Sequence, residues 1–327
     1  MDRALFILLW LAPMFAAAAA ADFSDPMPAC RPAQSAHACA IFTNNLGSGY
    51  FAAGKYPQAE LLFSRAISLW GAEPDRSEDL PKLYYNLAAA YSGEERYTDA
   101  ERFYRLALVG YRHESDLARQ AATLNRLGEV LVCQKRYKEA GQADREAIAI
   151  GERLSPSHPE VGASFANLAR MMIARRKFAA AEPLLQRAEQ IDRLNFAPDH
   201  PRIGYDLYAE GAAAVGLKHY ADAERLYGQS QVILDKSLPP NHPDIGRLLA
   251  LRANVCRLEG RLEQAEPLYR RALSVLGQAW GPESPQLLAV LESYEAMLRA
   301  RQDYAGAESV EVERTRIQVL QALRNSN

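Results

Sequence analysis

Three histidines stand at a fixed stride: His158, His200 and His242, each followed by proline. Ser284-Pro285 takes the fourth place, and successive members are 42 residues apart. Histidines at a regular spacing are first candidates for metal ligation, because imidazole nitrogen is a common zinc donor. Zinc, however, needs its donors within about 2.1 Å of one ion. Equivalent atoms on packed helices stand on the order of 10 Å apart. Serine in the fourth place is a poor ligand and a preferred helix N-cap. The histidines therefore read as caps, each with its proline at the first helical position, where a missing N–H costs nothing. No metal site is expected.

Other imitations of chemistry fail on context. Gly47-Ser48-Gly49 followed by Ala52 resembles a dinucleotide fingerprint, but it lies in a helical stretch with no strand before it. His37-Ala38-Cys39 lacks the Cys-x-x-Cys-His order of haem attachment. Neither Gly-x-Ser-x-Gly nor His-Glu-x-x-His occurs. No catalytic constellation is found, so neither an enzyme nor a cofactor is expected. Lys plus Arg is 38 against 40 Asp plus Glu, a net charge of −2, which lacks the basic excess of a nucleic-acid binder.

The elements that would position any site repeat along the chain. An aromatic residue or leucine recurs as Tyr56, Tyr97, Tyr137, Phe178, Tyr220, Leu262 and Tyr304, at spacings of 41, 40, 41, 42, 42 and 42. Three places later stands alanine every time, at 59, 100, 140, 181, 223, 265 and 307. Leu-Gly or Leu-Ala precedes the landmark at Leu46-Gly47, Leu87-Ala88, Leu127-Gly128 and Leu168-Ala169, and only the small residue persists as Gly211 and Ala253. Apolar residues fall at i, i+3, i+4 and i+7, the helical period. Small residues let helix backbones approach, and Tyr50, Tyr91, Phe63, Tyr104, Tyr227 and Tyr269 fill the space between. Each unit thus predicts two antiparallel helices, A and B, in the fourth unit about 159–175 and 178–194. A fixed period of this size predicts an all-α solenoid, here with seven units from about residue 36 to 323.

Two segments precede the array. The first 21 residues carry Arg3, an apolar run and a small-residue end at Ala19-Ala20-Ala21, which predicts a secretory signal peptide cleaved near Ala21. The alternative is a membrane anchor; the run is slightly short for one and holds Pro13. Cleavage predicts a periplasmic or secreted chain with no membrane insertion afterwards. Residues 22–35 hold three prolines and read as a linker. Cys30 and Cys39 lie close enough in sequence to form a disulfide in an oxidising compartment, or to remain two unpaired thiols. Cys133 and Cys256 read as small buried hydrophobes on A helices.

The stretches HPEVGASFANLARMMIARRKFAAAEPLLQRAEQI and HPDIGRLLALRANVCRLEGRLEQAEPLYRRALSVL resemble the tetratricopeptide repeat, in the 42-residue form found in kinesin light chains. The resemblance covers most of the chain. It implies a right-handed superhelical solenoid of about seven helix pairs, 36–327, with helix A lining the concave side and a polar last unit as cap. Glu295, Glu311 and Arg314 fit that polar cap. In the family, asparagine at the place held here by Asn45, Asn86 and Asn167, and replaced by Arg126, hydrogen-bonds the backbone of a bound peptide. A carboxamide suits this because it both donates and accepts. The expected groove stripe is Asn45, Tyr85, Asn86, Asn125, Arg126, Asn167, Arg170, Tyr205 and Tyr208, with Asn44, Arg247 and Asn254 nearby. From the fifth unit Ala209, Leu251 and Ser293 replace the asparagine, which confines the clamp to units one to four. The resemblance implies a non-enzymatic scaffold that binds a protein or peptide partner in its groove. The alternative is a structural or oligomerising element acting through its convex face or terminal helices; the sequence leaves the oligomeric state open.

Overall fold

The computed structural model describes residues 35–71 and 79–325. The expected leader, the linker up to residue 34 and Cys30 of the candidate disulfide lie outside the described residues. Among the described residues all regular structure is helical: fourteen α-helices and one 3-10 turn, with no strand. No described helix is long and apolar enough to cross a membrane.

The chain divides into two compact units at Pro198/Asp199. The first holds four A–B pairs: α1 (Ala36–Ala52) with α2 (Tyr56–Trp70), α3 (Leu80–Gly93) with α4 (Tyr97–His113), α5 (Leu117–Cys133) with α6 (Tyr137–Leu154), and α7 (Pro159–Ala174) with α8 (Phe178–Asn195). The second holds three: α9 (Pro201–Gly216) with α10 (Tyr220–Ser237), α11 (Pro243–Leu258) with α12 (Leu262–Trp280), and α13 (Leu288–Ala300) with α14 (Tyr304–Asn325). The 3-10 turn Pro285–Leu287 leads into α13. Every landmark residue opens a B helix. Within the first unit successive A helices pack on one another, α1 on α3, α3 on α5 and α5 on α7, and form the inner layer.

Close backbone approach explains the small residues. The alanines three places into each B helix, from Ala59 to Ala307, are all 0% exposed. A Cβ at Gly47 would lie 2.8 Å from Phe63 Cε1, and one at Gly211 would lie 2.5 Å from Tyr227 Cε1. Neither aromatic ring would fit beside a larger residue. Each A helix turns into its B helix through three residues, and the middle one is always left-handed: Gly54, Glu95, Lys135, Arg176, Lys218, Gly260 and Gln302. Such a residue closes a helix end by letting the next amides reach back to its last carbonyls, as Arg96 N does to Tyr91 O at 2.9 Å.

The caps take the expected form. His158, His200 and His242 Nδ1 each accept a hydrogen bond at 3.2 Å from the backbone N–H two residues on. Ser284 Oγ does the same for Gln286 at 3.3 Å.

Two expectations are corrected. The charges of the last pair do not simply face water: Glu295 is only 9% exposed. Its carboxylate binds Arg299 at 2.9 Å and Arg314 at 3.1 Å, so an ion-paired cluster replaces the usual small residue between the helices. Cys256 is buried as expected, but Cys133, at the end of α5, is only half-buried.

Candidate functional site

The inner faces of α1, α3 and α5 enclose a pocket of about 330 Å³. Asn44, Asn45 and Ser48 reach it from α1, Lys82, Tyr85 and Asn86 from α3, Tyr111 from the end of α4, and Arg119, Ala122 and Thr123 from α5. Helical spacing gathers these groups: residues three and four apart share a face. The wall is ordered by internal bonds. Asn86 Nδ2 donates to Asn44 Oδ1 at 2.8 Å, and the Tyr85 ring meets Tyr104 edge-on at 5.5 Å between centroids. Thr123 and Ser48 hydroxyls turn back onto carbonyls of their own helices at 2.7 and 3.0 Å.

What remains open is polar and cationic. Asn45 and Lys82 are exposed. The Arg119 guanidinium is exposed too, held loosely by Asp116 at 3.3 Å. Burial pushes the Tyr85 phenol up, against the opposing pull of Arg126, and burial likewise raises Tyr111. Both phenols therefore stay protonated hydrogen-bond donors. The pocket offers donors, a free carboxamide and positive charge. Such a set suits backbone amides and carboxylates.

Deeper along the same layer the expected stripe is corrected. Asn86, Asn125 and Asn167 are buried and are spent inside the fold. Asn125 Nδ2 donates to the Glu160 carbonyl at 2.9 Å and its carboxylate at 2.8 Å, and Asn125 Oδ1 accepts from Ser164 at 2.6 Å. Asn167 Nδ2 donates to the Asn125 carbonyl at 2.8 Å, and its oxygen accepts from Arg170. Glu129 binds Arg126 at 2.8 Å and Arg170 at 2.9 Å. The physical reason is the next repeat: within the first unit an A helix lays its polar row against the following one, and buried amides must find partners.

Below this network lies Asp144 of α6, 0% exposed. The same slot holds Phe63, Tyr104, Leu185, Tyr227 and Tyr269 in other pairs. Its Oδ1 is 3.4 Å from Asn167 Nδ2, and its Oδ2 has no hydrogen-bond partner among the described residues. Burial, more than any neighbour, holds the Asp144 carboxyl well above the usual carboxylate range. Among the described residues no cluster of histidine, cysteine, aspartate and glutamate has the makings of a metal site.

Tyr205 and Tyr208 belong to the second unit, and each serves its packing. The Tyr205 hydroxyl donates to Asp244 Oδ2 at 2.9 Å, and the Tyr208 ring packs on Tyr227 at 5.9 Å. Arg247 is buried between Asp244, at 2.9 Å, and the Trp280 ring, at 4.9 Å. Asn254 Oδ1 accepts from the Tyr269 hydroxyl at 2.8 Å. Of the expected stripe, the pocket gathers Asn45, Tyr85 and Asn86, with Asn44 beside them. It adds Lys82 and Arg119, which the sequence reading missed. Lys82 lies three and four residues before Tyr85 and Asn86, so extending the stripe by one turn finds it.

The tetratricopeptide repeat model matches residues 38–112 and 119–193. No curated protein matches the chain at a significant level. Among solved structures the chain is similar to the kinesin light chain TPR-like repeats of Podosopora anserina, at 20% identity and a TM-score of 0.50, over 64% of this chain and 97% of that one. It is similar to aspartyl phosphate phosphatase F from Bacillus subtilis, at 14% identity and a TM-score of 0.61, over 85% of this chain and 70% of that one. It is also similar to a Rap protein complexed with Competence and Sporulation Factor, at 14% identity and a TM-score of 0.55, over 88% of this chain and 99% of that one. At these identities the likeness is one of fold. Residues 38–112 and 119–193 match the tetratricopeptide repeat, and within each unit the helix pairs pack in succession as in a tetratricopeptide solenoid.

Proposed function

We propose that the chain is a non-enzymatic interaction scaffold that holds an extended polypeptide segment against α1, α3 and α5. The observation that carries this reading is the pocket with Asn45 and Lys82 exposed in its wall. The Asn45 carboxamide matches a peptide unit without reading its side chain. Lys82 and Arg119 favour an acidic group on the bound segment. The fold neighbour complexed with Competence and Sporulation Factor supports such an architecture as a holder of partners. If the leader directs export, the partner is met in the periplasm or outside the cell.

Peptides selected from a displayed random library on the full chain test the reading. Acidic sequences should be enriched. Lys82→Glu should abolish their capture with far-UV helicity unchanged, and Asn45→Ala should weaken it roughly fivefold, the worth of about one hydrogen bond. Capture indifferent to both substitutions would overturn the groove.

A second reading, an oligomerising element, has one observation in its favour: α14 exposes Val312 (64%), Val319 (52%) and Leu323 (58%) on its outer side. Light scattering that finds a closed oligomer, dispersed by Val319→Glu, would support this reading over the first.

A further inference from the structure

The second unit contains a histidine whose position is harder to explain than its two counterparts. His242 caps α11 in the same way as His158 caps α7 and His200 caps α9, but it alone is 0% exposed. Its Nδ1 accepts the Asp244 N–H, so in the neutral ring the proton sits on Nε2. That Nε2 is buried without a hydrogen-bond partner among the described residues. The ring is therefore poised with one nitrogen fully committed to the cap and the other enclosed.

We propose that His242 is an acid-operated latch on the start of α11. Protonation places a hydrogen on Nδ1, the atom that must accept the Asp244 N–H, and turns an attraction into a clash of two donors. The imidazolium would also face the positive end of the α11 dipole. Capping by Ser284, in the next pair, does the same work through an oxygen that does not titrate in this range.

The charged surroundings bear on the direction. On α11 itself stand Asp244, whose Oδ2 lies 3.6 Å from His242 Nδ1, and Arg247. Asp244 favours the imidazolium, but its carboxylate is already engaged by Arg247 at 2.9 Å and by the Tyr205 hydroxyl of α9 at 2.9 Å. From α12 the Trp280 ring faces Arg247 and brings no charge. Burial outweighs Asp244 and holds the His242 imidazole below its ordinary range, and Arg247 acts in the same sense. A group lowered in the fold contributes stability above the ordinary imidazole value, about 6.5, and that stability is lost as the pH falls through the lowered value. The cap is thus closed at neutral pH and released in acid.

Amide hydrogen exchange on the full chain, stepped from about pH 7.5 down through the protonation of the His242 ring as its own imidazole NMR signals report it, and corrected for intrinsic rates, reads the latch at one atom. Protection of the Asp244 amide should fall about fivefold more than that of Gln286, the worth of one N-cap. His242→Ser should remove the difference. Ser284→His should confer the same acid loss on Gln286, which keeps the test decisive if His242→Ser folds poorly. Equal losses at Asp244 and Gln286 in the native chain, or an acid loss at Asp244 that persists in His242→Ser, would overturn the latch. So would a Ser284→His chain whose Gln286 amide ignores acid.

Discussion

One slot of the repeat, seven places after the B helix opens, is filled in two ways. In the first two pairs of the second unit it holds Tyr227 and Tyr269, both buried, with a small residue, Gly211 or Ala253, at the matching place on the A helix. In the third pair of the first unit it holds Asp144, against Gly128 and beneath Asn167. The A-to-B turns beside the two are alike, each three residues long with a left-handed middle residue. The frame is therefore set by the small-residue crossings and the turns, while the slot itself is free to carry either apolar packing or a polar network. Where the slot is polar, the A-helix row above it is polar too: Asn125, Arg126, Glu129 and Arg170.

The comparison predicts unequal costs. Tyr227→Ala should lose about 3–5 kcal/mol, the range for truncating a buried aromatic. Asp144→Ala, at the same slot, should lose less than about 1 kcal/mol, because it also removes an ill-solvated carboxyl. Urea denaturation of the full chain followed by circular dichroism measures both; similar losses would break the comparison. Next in size, Asp144→Asn should stabilise the chain at neutral pH by roughly 1–2 kcal/mol, because the amide fills the slot without an ionisable carboxyl to desolvate. The sign follows from the raised carboxyl: native stability is full below the ordinary carboxylate range and declines as pH rises through the raised value. The advantage of the Asp144→Asn variant should therefore widen with pH, and a gap that narrows would show that the charge is better solvated than its burial implies.

Smaller effects sharpen the contrast between wall and opening. Asn86→Ala should cost about 1 kcal/mol, because Asn44 loses its partner in a buried place. Asn45→Ala should leave stability within about 0.5 kcal/mol. Paired thermal melts decide this. Smallest of all is the surface ladder from one pair to the next, Glu60 to Arg96 at 2.9 Å and Glu101 to Arg136 at 2.6 Å. Glu60→Gln should cost no more than about 0.5 kcal/mol, and half-molar salt should erase even that.

The frame was legible from one chain because it depends on local signals. Pro159, the Phe178 landmark and Ala181 place α7 and α8 to within a residue of their observed ends. The site was legible only in part. Spacing shows that Asn86, Asn125 and Asn167 share a helical face with their neighbours, but not what the following helix sets opposite. The partners of Asn125 are Glu160 and Ser164, more than thirty residues on. For the same reason the sequence shows Glu60 and Glu101, each beside the recurring alanine, but not the arginines that answer them one pair later, Arg96 and Arg136. Asn45 and Lys82 escaped saturation because, among the described residues, no side chain is directed back onto them.

The A-to-B turns have a use beyond closing helices. All seven are three residues long, whereas the B-to-A stretches differ in length, with three residues at 114–116 and five at 238–242. The molecule therefore keeps its slack in one kind of joint and none in the other. A foreign loop spliced between Pro239 and Asn241 would be carried as cargo, while the same insert between Leu217 and His219 would pry a pair apart.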